Sequence, residues 1–290
     1  SFQPFNFFFV NFISLSSLFF LINYVKKKSK SIYRAKPFYK NLFILGTSYG
    51  FGFFFFGIYW IVYSLTFDDS FKVLIPFALI LIPLFLSLFF SLPIVFVGKF
   101  LNESISSIFL ISLTFSVFDF FRSTILTGFP WNLWVHSFSW SPEVLQILSI
   151  TGTFALNLFV ITIFFFPSII FFKKKGKYLF LSFFTILFFA NYFYGSYKIN
   201  SVKYEKDKNI NFKIVSAHID LLEFQDKEKV IVKLIKYSNP DKDKATIFVW
   251  PEGVLMGEDF DNLRNFKPLF KENFSENHLV VLGINTKKKK

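Results

Sequence analysis

Glu252 is the residue in this 290-residue sequence whose type and position best fit a catalytic task. It follows Trp250 and Pro251, directly after an apolar run over 246–250 that predicts a buried strand. A carboxylate at the carboxyl end of a strand in an open α/β sheet lies where such sheets bind ligands, and it can act as a general base. Pro251 fixes the backbone φ angle and would hold Glu252 at a defined angle. A bare Pro-Glu pair leaves an ordinary polar loop open as the alternative.

Other residue types that carry catalysis form no recognisable pattern. The sequence contains no cysteine, so it holds no disulfide, zinc-thiolate site or thiol nucleophile. His136, His218 and His278 lack the spacing of metal ligands. No serine lies in a Gly-x-Ser-x-Gly elbow, and no glycine-rich phosphate loop follows a strand. We therefore expect neither a metal nor another cofactor.

A second group of polar residues interrupts a long apolar stretch. Asp119 lies near the end of a predicted membrane helix, where an acid is costly and often functional, but it can also pair with Arg122 three residues later. The segment that follows Arg122 contains Gly128, Phe129, Pro130 and Trp131. Because tryptophan favours the headgroup level of a bilayer, this segment is either an interfacial anchor or part of a lipid-facing mouth. The sequence leaves both open.

Membrane helices are the elements that must position most of these residues. Hydrophobic residues make up 53% of the chain, and only seven of its 50 phenylalanines lie after residue 196. A bilayer-spanning helix needs about 20 mostly apolar residues. Six stretches meet this condition: 5–25, 41–66, 73–98, 104–121, 145–172 and 178–196. The third contains three prolines and can be one helix or two. We predict a multi-pass α-helical membrane bundle over residues 1–196.

The net charge of +13 is concentrated beside these apolar stretches. Lysines and an arginine cluster within 26–40, and four lysines lie within 173–177. Positive charge next to membrane helices sets their orientation, so we place both clusters in the cytoplasm. Five predicted spans follow the cluster in 26–40, so everything after residue 196 is predicted to lie on the outer side of the membrane. Charge in these positions argues against a nucleic-acid partner.

From residue 209 the pattern is that of a small α/β domain. Alternation over 209–218 and apolar runs over 246–250 and 278–283 predict three strands. Helical spacing of apolar residues over 223–237 and 259–273 predicts two amphipathic helices. The order β-α-β-α-β favours parallel pairing of neighbouring strands. We predict that residues 209–290 form this extracytoplasmic domain.

Four groups of residues, taken together, resemble the motifs of one family. They are 48–53 with 57–60, the segment 122–132, 150–153 with Asn157, and Trp250-Pro251-Glu252. The family is that of the bacterial apolipoprotein N-acyltransferases. This resemblance implies a membrane bundle followed by part of a nitrilase-like (carbon–nitrogen hydrolase) domain, the β-α-β-α-β portion of an α-β-β-α sandwich. It also implies that the chain is truncated at both ends.

The resemblance implies an activity as well. The family transfers a fatty acyl chain from a phospholipid to the N-terminal diacylglyceryl-cysteine of apolipoproteins through a thioester acyl-enzyme. Of the family's Glu, Lys and Cys, only the Glu has a counterpart here, Glu252, with Trp250 and Pro251 as supporting residues. Lys287–Lys290 come too soon to supply the lysine, and the first strand ends in Ser216-Ala217-His218 instead of a Gln-x-Asn-like segment. We expect these 290 residues alone to be inactive.

The same resemblance places the protein in the bacterial inner membrane, with its soluble domain on the periplasmic side. Its implied partners are the bilayer, a phospholipid acyl donor and a diacylglyceryl apolipoprotein acceptor. A polytopic transporter or scaffold with an extracytoplasmic binding domain is the alternative, and it needs no catalytic cysteine. That alternative predicts polar or charged residues facing the inside of the bundle.

Overall fold

The computed structural model describes residues 6–32, 36–125, 128–173, 176–202, 210–217, 219, 226–255 and 260–284. The chain divides into two compact units, Ser1–Lys203 and Tyr204–Lys290, and each is described by itself. This division falls between residues 196 and 209, where the sequence predicts the change from a membrane bundle to an α/β domain. His218 and Lys287–Lys290 lie outside the described residues.

The first unit consists of α-helices joined by short 3₁₀ segments. Its helices are α1 (Phe9–Ile32), α2 (Lys36–Ile58), α3 (Ile75–Leu86), α4 (Leu88–Val97), α5 (Ile105–Thr124), α6 (Pro142–Leu145), α7 (Leu148–Thr151), α8 (Thr153–Phe164), α9 (Phe166–Ile170) and α10 (Lys177–Ser201). Segments of 3₁₀ helix cover Tyr59–Thr66, Asp69–Leu74 and Trp134–Phe138.

Five stretches of the described chain are long and apolar enough to cross a membrane. They are Phe9–Ser29, Pro37–Thr66, Asp69–Val97, Ile105–Thr124 and Lys177–Ser201. Each overlaps one of the six predicted spans. In the third, where the prolines left one helix or two open, α3 and α4 meet at Ser87. The protein is therefore a membrane protein with a helical bundle.

Residues 145–172, predicted as one span, do not form one helix. The region from Pro142 to Ile170 contains the four helices α6 to α9, of which α8 is the longest apolar one. Gly152 has a φ of +76° between α7 and α8, a left-handed conformation that only glycine adopts easily. Pro167 lies in the first turn of α9 and has no N–H to continue the hydrogen bonding of α8. Hydropathy alone could not reveal either break.

Apolar side chains lie on both the inside and the outside of this unit. Phe19, Phe54 and Phe164 are completely buried, whereas Leu179 and Ile186 of α10 are exposed. A helix that is apolar all round is typical of a membrane span, because hydrocarbon surrounds it in place of water. The outward residues are therefore the surface that contacts lipid.

The second unit contains a three-stranded parallel sheet with helices beside it. Strands β1 (Asn211–Ile214), β2 (Thr246–Val249) and β3 (His278–Val281) pair in that order, with Phe212 opposite Ile247 and Ile247 opposite Leu279. The helices are α11 (Lys227–Ser238), α12 (Phe260–Leu263) and α13 (Lys267–Asn273). This confirms the predicted order of strands and helices. The second predicted helix is interrupted by a 3₁₀ turn over Arg264–Phe266, just before Pro268.

Helix α11 has the local signals that define its ends. The Asp226 side chain accepts a hydrogen bond from the Lys229 N–H at 3.1 Å, which caps the N-terminus. Asn239 follows in a left-handed conformation with a φ of +40°, a common helix end. Between them Ile231 and Leu234 are fully buried and pack in the core of the sheet unit. The burial of one apolar face holds α11 against the sheet.

The two faces of the sheet differ in what covers them. Phe248 is buried on the face that packs against the helices. On the other face Phe212 is 71% exposed and Ile214 is 83% exposed, and Leu279 and Val281 in β3 are exposed as well. The sheet thus presents an apolar face that no described residue covers.

Candidate functional site

The first candidate site is the carboxyl edge of the sheet, where Trp250 directly follows β2. The Trp250 indole is buried, and its Nε1–H donates a hydrogen bond to Ser238 Oγ at 2.9 Å. Ser238 in turn donates to the Leu234 carbonyl at 2.8 Å, and the Phe270 ring lies 5.5 Å from the indole. Both the polar and the apolar parts of the Trp250 side chain are therefore held in place. This fixes the position from which the chain continues to Pro251 and Glu252.

Glu252 lies two residues later and is exposed. The Trp250 N–H donates to the Val281 carbonyl at 2.9 Å, so the ends of β2 and β3 are adjacent. A Cβ built on Gly283, after β3, would lie 3.5 Å from Glu252 Cγ. Glu252 thus lies at the carboxyl edge of the parallel sheet, as predicted from its position after β2. An exposed carboxylate there can accept a proton from a bound molecule.

A cavity of about 900 Å³ flanks β3 in the same unit. Its floor is apolar, and Arg264 and Lys267 add positive charge to its lining. Glu252 is not among the described residues that line it. This cavity therefore lies beside the candidate base and not at it.

The second candidate site is a buried polar network in the membrane unit. The Arg122 side chain, 1% exposed, donates from Nη1 to the carbonyls of Phe129 at 2.8 Å and Trp131 at 2.6 Å. Its Nη2 donates to Asp119 Oδ1 at 3.0 Å, which is the i,i+3 pair that the sequence suggested. The Phe54 ring lies 5.2 Å from the guanidinium carbon. Arg122 thereby holds two carbonyls of the segment that follows it.

Asn157 of α8 completes this network. Its Nδ2 donates to Asp119 Oδ2 at 2.9 Å, and its Oδ1 accepts from the Val135 N–H at 3.0 Å. Each carboxylate oxygen of Asp119 therefore has a partner, as a buried ion pair requires. The network connects α5, α8 and the segment 129–135, which are distant in sequence.

Gly128 makes the turn that brings this segment back over α5. It has a φ of +78°, and a Cβ there would lie 2.5 Å from the Ser123 carbonyl oxygen. The next residue, Phe129, donates its N–H to the Arg122 carbonyl at 2.9 Å. Only glycine fits this turn without strain.

Two motifs that are far apart in the sequence meet here. A Cβ on Gly57 would overlap the Asn132 side-chain amide, so the two residues are in close contact. The rings of Trp60 and Trp131 lie 5.8 Å apart, edge to face. Pro130 lies between Phe129 and Trp131 and is exposed. The predicted mouth segment is thus packed against the end of α2 and the 3₁₀ segment after it.

An apolar groove of about 340 Å³ lies beside Arg122. Gly128, Phe129 and Ile125 line one side, and five apolar residues of α3 and α4 line the other: Leu81, Ile82, Phe85, Leu86 and Phe89. The structure therefore brings Arg122, Gly128 and Phe129 together around one groove. Trp131 contributes its carbonyl to Arg122, and Pro130 does not line the groove.

Sequence reasoning named Asn157 only as part of a motif and missed its structural role. The signal that could have found it is an amide in the middle of an apolar helix, because a buried amide needs partners.

No group of three possible metal ligands occurs among the residues that the structure describes, and His136 is exposed.

Comparison with known proteins identifies the family. Residues 1–166, more than half of the chain, match the apolipoprotein N-acyltransferase N-terminal domain. This chain belongs to the apolipoprotein N-acyltransferase family. The segment 122–132 and Asn157, which carry the buried network, lie inside the matched residues.

Similar curated proteins cover both units of the chain. The apolipoprotein N-acyltransferase of Rickettsia prowazekii is 30% identical over 285 residues, which is 96% of this chain and 55% of that protein. The one from Allorhizobium ampelinum is 26% identical over 281 residues, 93% of this chain and 52% of that protein. The Rickettsia bellii protein is 39% identical over 120 residues, 41% of this chain and 24% of its own length. The chain spans about half the length of the curated relatives it matches.

Proposed function

We propose that this chain takes part in apolipoprotein N-acylation, the transfer of a fatty acyl chain from a phospholipid to the N-terminal diacylglyceryl-cysteine of an apolipoprotein. The observation that carries this proposal is the position of Glu252 in a chain whose membrane unit belongs to this family. The carboxylate lies at the carboxyl edge of a parallel sheet, directly after a buried strand and a fixed tryptophan. In such sheets this edge is where ligands bind.

Glu252 is proposed as the general base of the reaction, with Trp250 and Pro251 as supporting residues. Acyl transfer through a thioester needs a thiol whose proton is removed as the sulfur attacks the ester carbonyl. Glu252 can accept that proton and return it to the leaving oxygen, so that the ester C–O bond breaks, the thioester forms and the lysophospholipid leaves as an alcohol. The α-amino group of the apolipoprotein cysteine then attacks the thioester, and the C–S bond breaks to release the thiol. The thiol and the lysine of the family's catalytic set are not supplied by these 290 residues, which contain no cysteine.

A substitution in the protein expressed from its own gene tests this function. We expect phospholipid-dependent acylation of a diacylglyceryl-cysteine peptide by the wild-type protein, and a fall of about 10²–10⁴-fold in Glu252→Gln, the range that general bases contribute. Glu276→Gln, another exposed acid of the same unit, is the control and should keep its activity. A wild-type protein without acyltransferase activity would overturn the function, and full activity of Glu252→Gln would remove Glu252 from the mechanism.

The bare face of the sheet supports a nitrilase-like sandwich. Parallel sheets occur almost only with both faces covered, and this sheet is apolar on both. Helices cover one face, whereas Phe212 and Ile214 on the other are exposed. We propose that a second sheet packs on this face, as in the α-β-β-α sandwich, with the three strands described here forming part of the first sheet.

The groove beside Arg122 is proposed as the place where an acyl chain of the donor lipid reaches the protein. One wall is formed by apolar residues of the membrane stretch Asp69–Val97, and the other by Ile125, Gly128 and Phe129, which follow the stretch Ile105–Thr124. A hydrocarbon chain fits such a lining, since apolar walls make dispersion contacts with it and leave no polar group without a partner. The buried network shapes this groove by holding Phe129 and Trp131. This arrangement supports the lipid-facing mouth for the segment 122–131 over a plain interfacial anchor.

Charge and contacts support an inner-membrane orientation with the sheet unit in the periplasm. Lys27 pairs with Glu103 at 2.6 Å, and the Phe20 and Phe171 rings lie 5.7 Å apart. The ion pair brings the end of α1 to the loop before α5, and the ring contact joins the middle of α1 to the residue after α9. Lys26–Lys28 lie at the end of α1 beside that loop, and the positive-inside rule assigns such a cluster to the cytoplasm.

The family activity is also favoured over a transporter by the state of the buried charges. Asp119 and Arg122 are the buried charged residues among the described part of the membrane unit. They pair with each other; Arg122 also donates to two backbone carbonyls, and Asp119 also accepts from Asn157, so neither charge is left without a partner for a transported solute.

A further inference from the structure

A second apolar pocket of the membrane unit shares no lining residue with the groove beside Arg122. Its volume is about 310 Å³, and six phenylalanine rings, Trp140, Ile163 and Thr185 line it. Two of the lining residues carry a polar side-chain group: Thr185 has a hydroxyl and Trp140 has an indole N–H. We call it the aromatic pocket.

The aromatic pocket lies between two membrane stretches. Phe8 directly precedes α1 and Phe12 lies in its first turn, and Phe184 and Phe188 come from α10. Outward residues of the same helices, such as Ile13 and Ile186, are exposed and apolar. The surroundings of the pocket opening are therefore bilayer hydrocarbon and not water.

Size and chemistry restrict what can occupy the pocket. Its volume is at the small end of the range of about 300–1,000 Å³ that ligand sites show. An apolar cavity of this kind does not hold water well, because water needs two or more polar partners. A flexible hydrocarbon chain fits, and the headgroup attached to it would remain outside. Trp140, exposed at the edge of the pocket, has the amphipathic ring that favours this depth of the bilayer.

We propose that the aromatic pocket binds one acyl chain of a bilayer phospholipid as a structural lipid that is distinct from the donor. The chain would pack against Phe138, which stacks on Phe164 at 5.9 Å and contacts Phe188 at 5.7 Å. Phe138 ends the 3₁₀ segment Trp134–Phe138, and Asn157 binds the N–H of Val135 in the same segment. The bound chain therefore stabilises the segment that the buried network holds at its other end.

Retention of a photoactivatable lipid tests the proposal. The full chain is reconstituted with a phospholipid that carries a diazirine in the middle of one acyl chain, extracted in detergent, passed over a sizing column and irradiated. We expect about one retained lipid per chain, with adducts on Phe12, Phe138 or Phe184. Loss of all lipid on extraction, or adducts confined to outward residues such as Ile186, would overturn the proposal.

Two substitutions on α10 provide the matched comparison. Thr185→Trp places an indole in the aromatic pocket and should reduce the retained lipid at least tenfold. Ile186→Trp places the same ring on the outward face of the same helix, and its retention should equal that of the wild type. Equal retention in both variants would contradict the pocket as the binding site.

A second variant and a second measurement guard against misfolding. Ile163→Phe adds a ring from the opposite wall of the pocket and should also reduce retention. Added phospholipid should raise the thermal midpoint of the delipidated wild type and of Ile186→Trp, because a ligand that binds only the folded state stabilises it. It should not raise the midpoint of a folded Thr185→Trp. A rise equal to that of the wild type would refute the site.

Discussion

Replacing Asp119 by alanine is the sharpest test of the buried network. The substitution leaves the Arg122 guanidinium without its counter-charge at a side-chain exposure of 1%, and it leaves Asn157 Nδ2 without its acceptor. Removing one partner of a buried ion pair costs about 3–5 kcal/mol. At about 2–4 °C per kcal/mol for a unit of this size, the thermal midpoint should fall by about 6–20 °C.

Thermal unfolding in detergent, followed by circular dichroism, measures this effect. Glu103→Ala is the control, because Glu103 also pairs with a cation, Lys27, but both side chains are exposed. Such a surface pair contributes about 0–1 kcal/mol, so the control should shift the midpoint by no more than a few degrees.

A double variant separates the pair from the rest of the network. Asp119→Leu with Arg122→Met removes both charges and replaces them with apolar volume, which is often neutral for a buried pair. The double variant should therefore be more stable than Asp119→Ala, although it releases the carbonyls of Phe129 and Trp131. Equal shifts in Asp119→Ala and in the surface control, or a double variant less stable than the single one, would refute the reasoning.

Three further predictions concern single contacts. Gly128→Ala should lower the free energy of unfolding, because φ at this position is +78° and the new Cβ meets a backbone carbonyl. The control is Gly52→Ala, which lies in α2 with open space around it and should be neutral or stabilising. Equal effects of the two substitutions would contradict the turn. Trp250→Phe removes the hydrogen bond to Ser238 and should cost about 0.5–1.5 kcal/mol in chemical denaturation, and no loss would show that this bond is not needed. The backbone N–H at the third position of α11 holds the pKa of Asp226 below its usual value, so its capping contribution is complete above the unfolded-state pKa and is lost as pH falls through the lowered one. The protection of the Lys229 N–H against hydrogen exchange, taken relative to the unfolded chain at the same pH, should therefore fall on acidification in the wild type and be less pH-dependent in Asp226→Asn; an unchanged protection in the wild type would contradict the cap.

Local patterns in the sequence determined much of this architecture. Hydropathy located the five long membrane stretches, because each needs about 20 mostly apolar residues to cross the hydrocarbon core, whatever its neighbours are. Alternation of apolar residues located the strands and helical spacing located α11, because each of these patterns is contained within its own segment. The i,i+3 pairing of Asp119 with Arg122 was also predictable, since both residues lie on one turn of one helix. The place of Glu252 at the sheet edge followed from its position directly after β2.

Contacts between distant segments were decided only by the tertiary structure. Asn157 lies 38 residues from Asp119 and 22 from Val135, and nothing local in the sequence specifies that these groups meet. The contact of Gly57 with Asn132, the breaks in 145–172 and the aromatic pocket depend in the same way on how helices pack. An apolar residue type reports that a side chain leaves water, but not whether protein or lipid surrounds it. That is why the sequence predicted the helices and the candidate base, whereas the buried network, the groove beside Arg122 and the aromatic pocket required the packed structure.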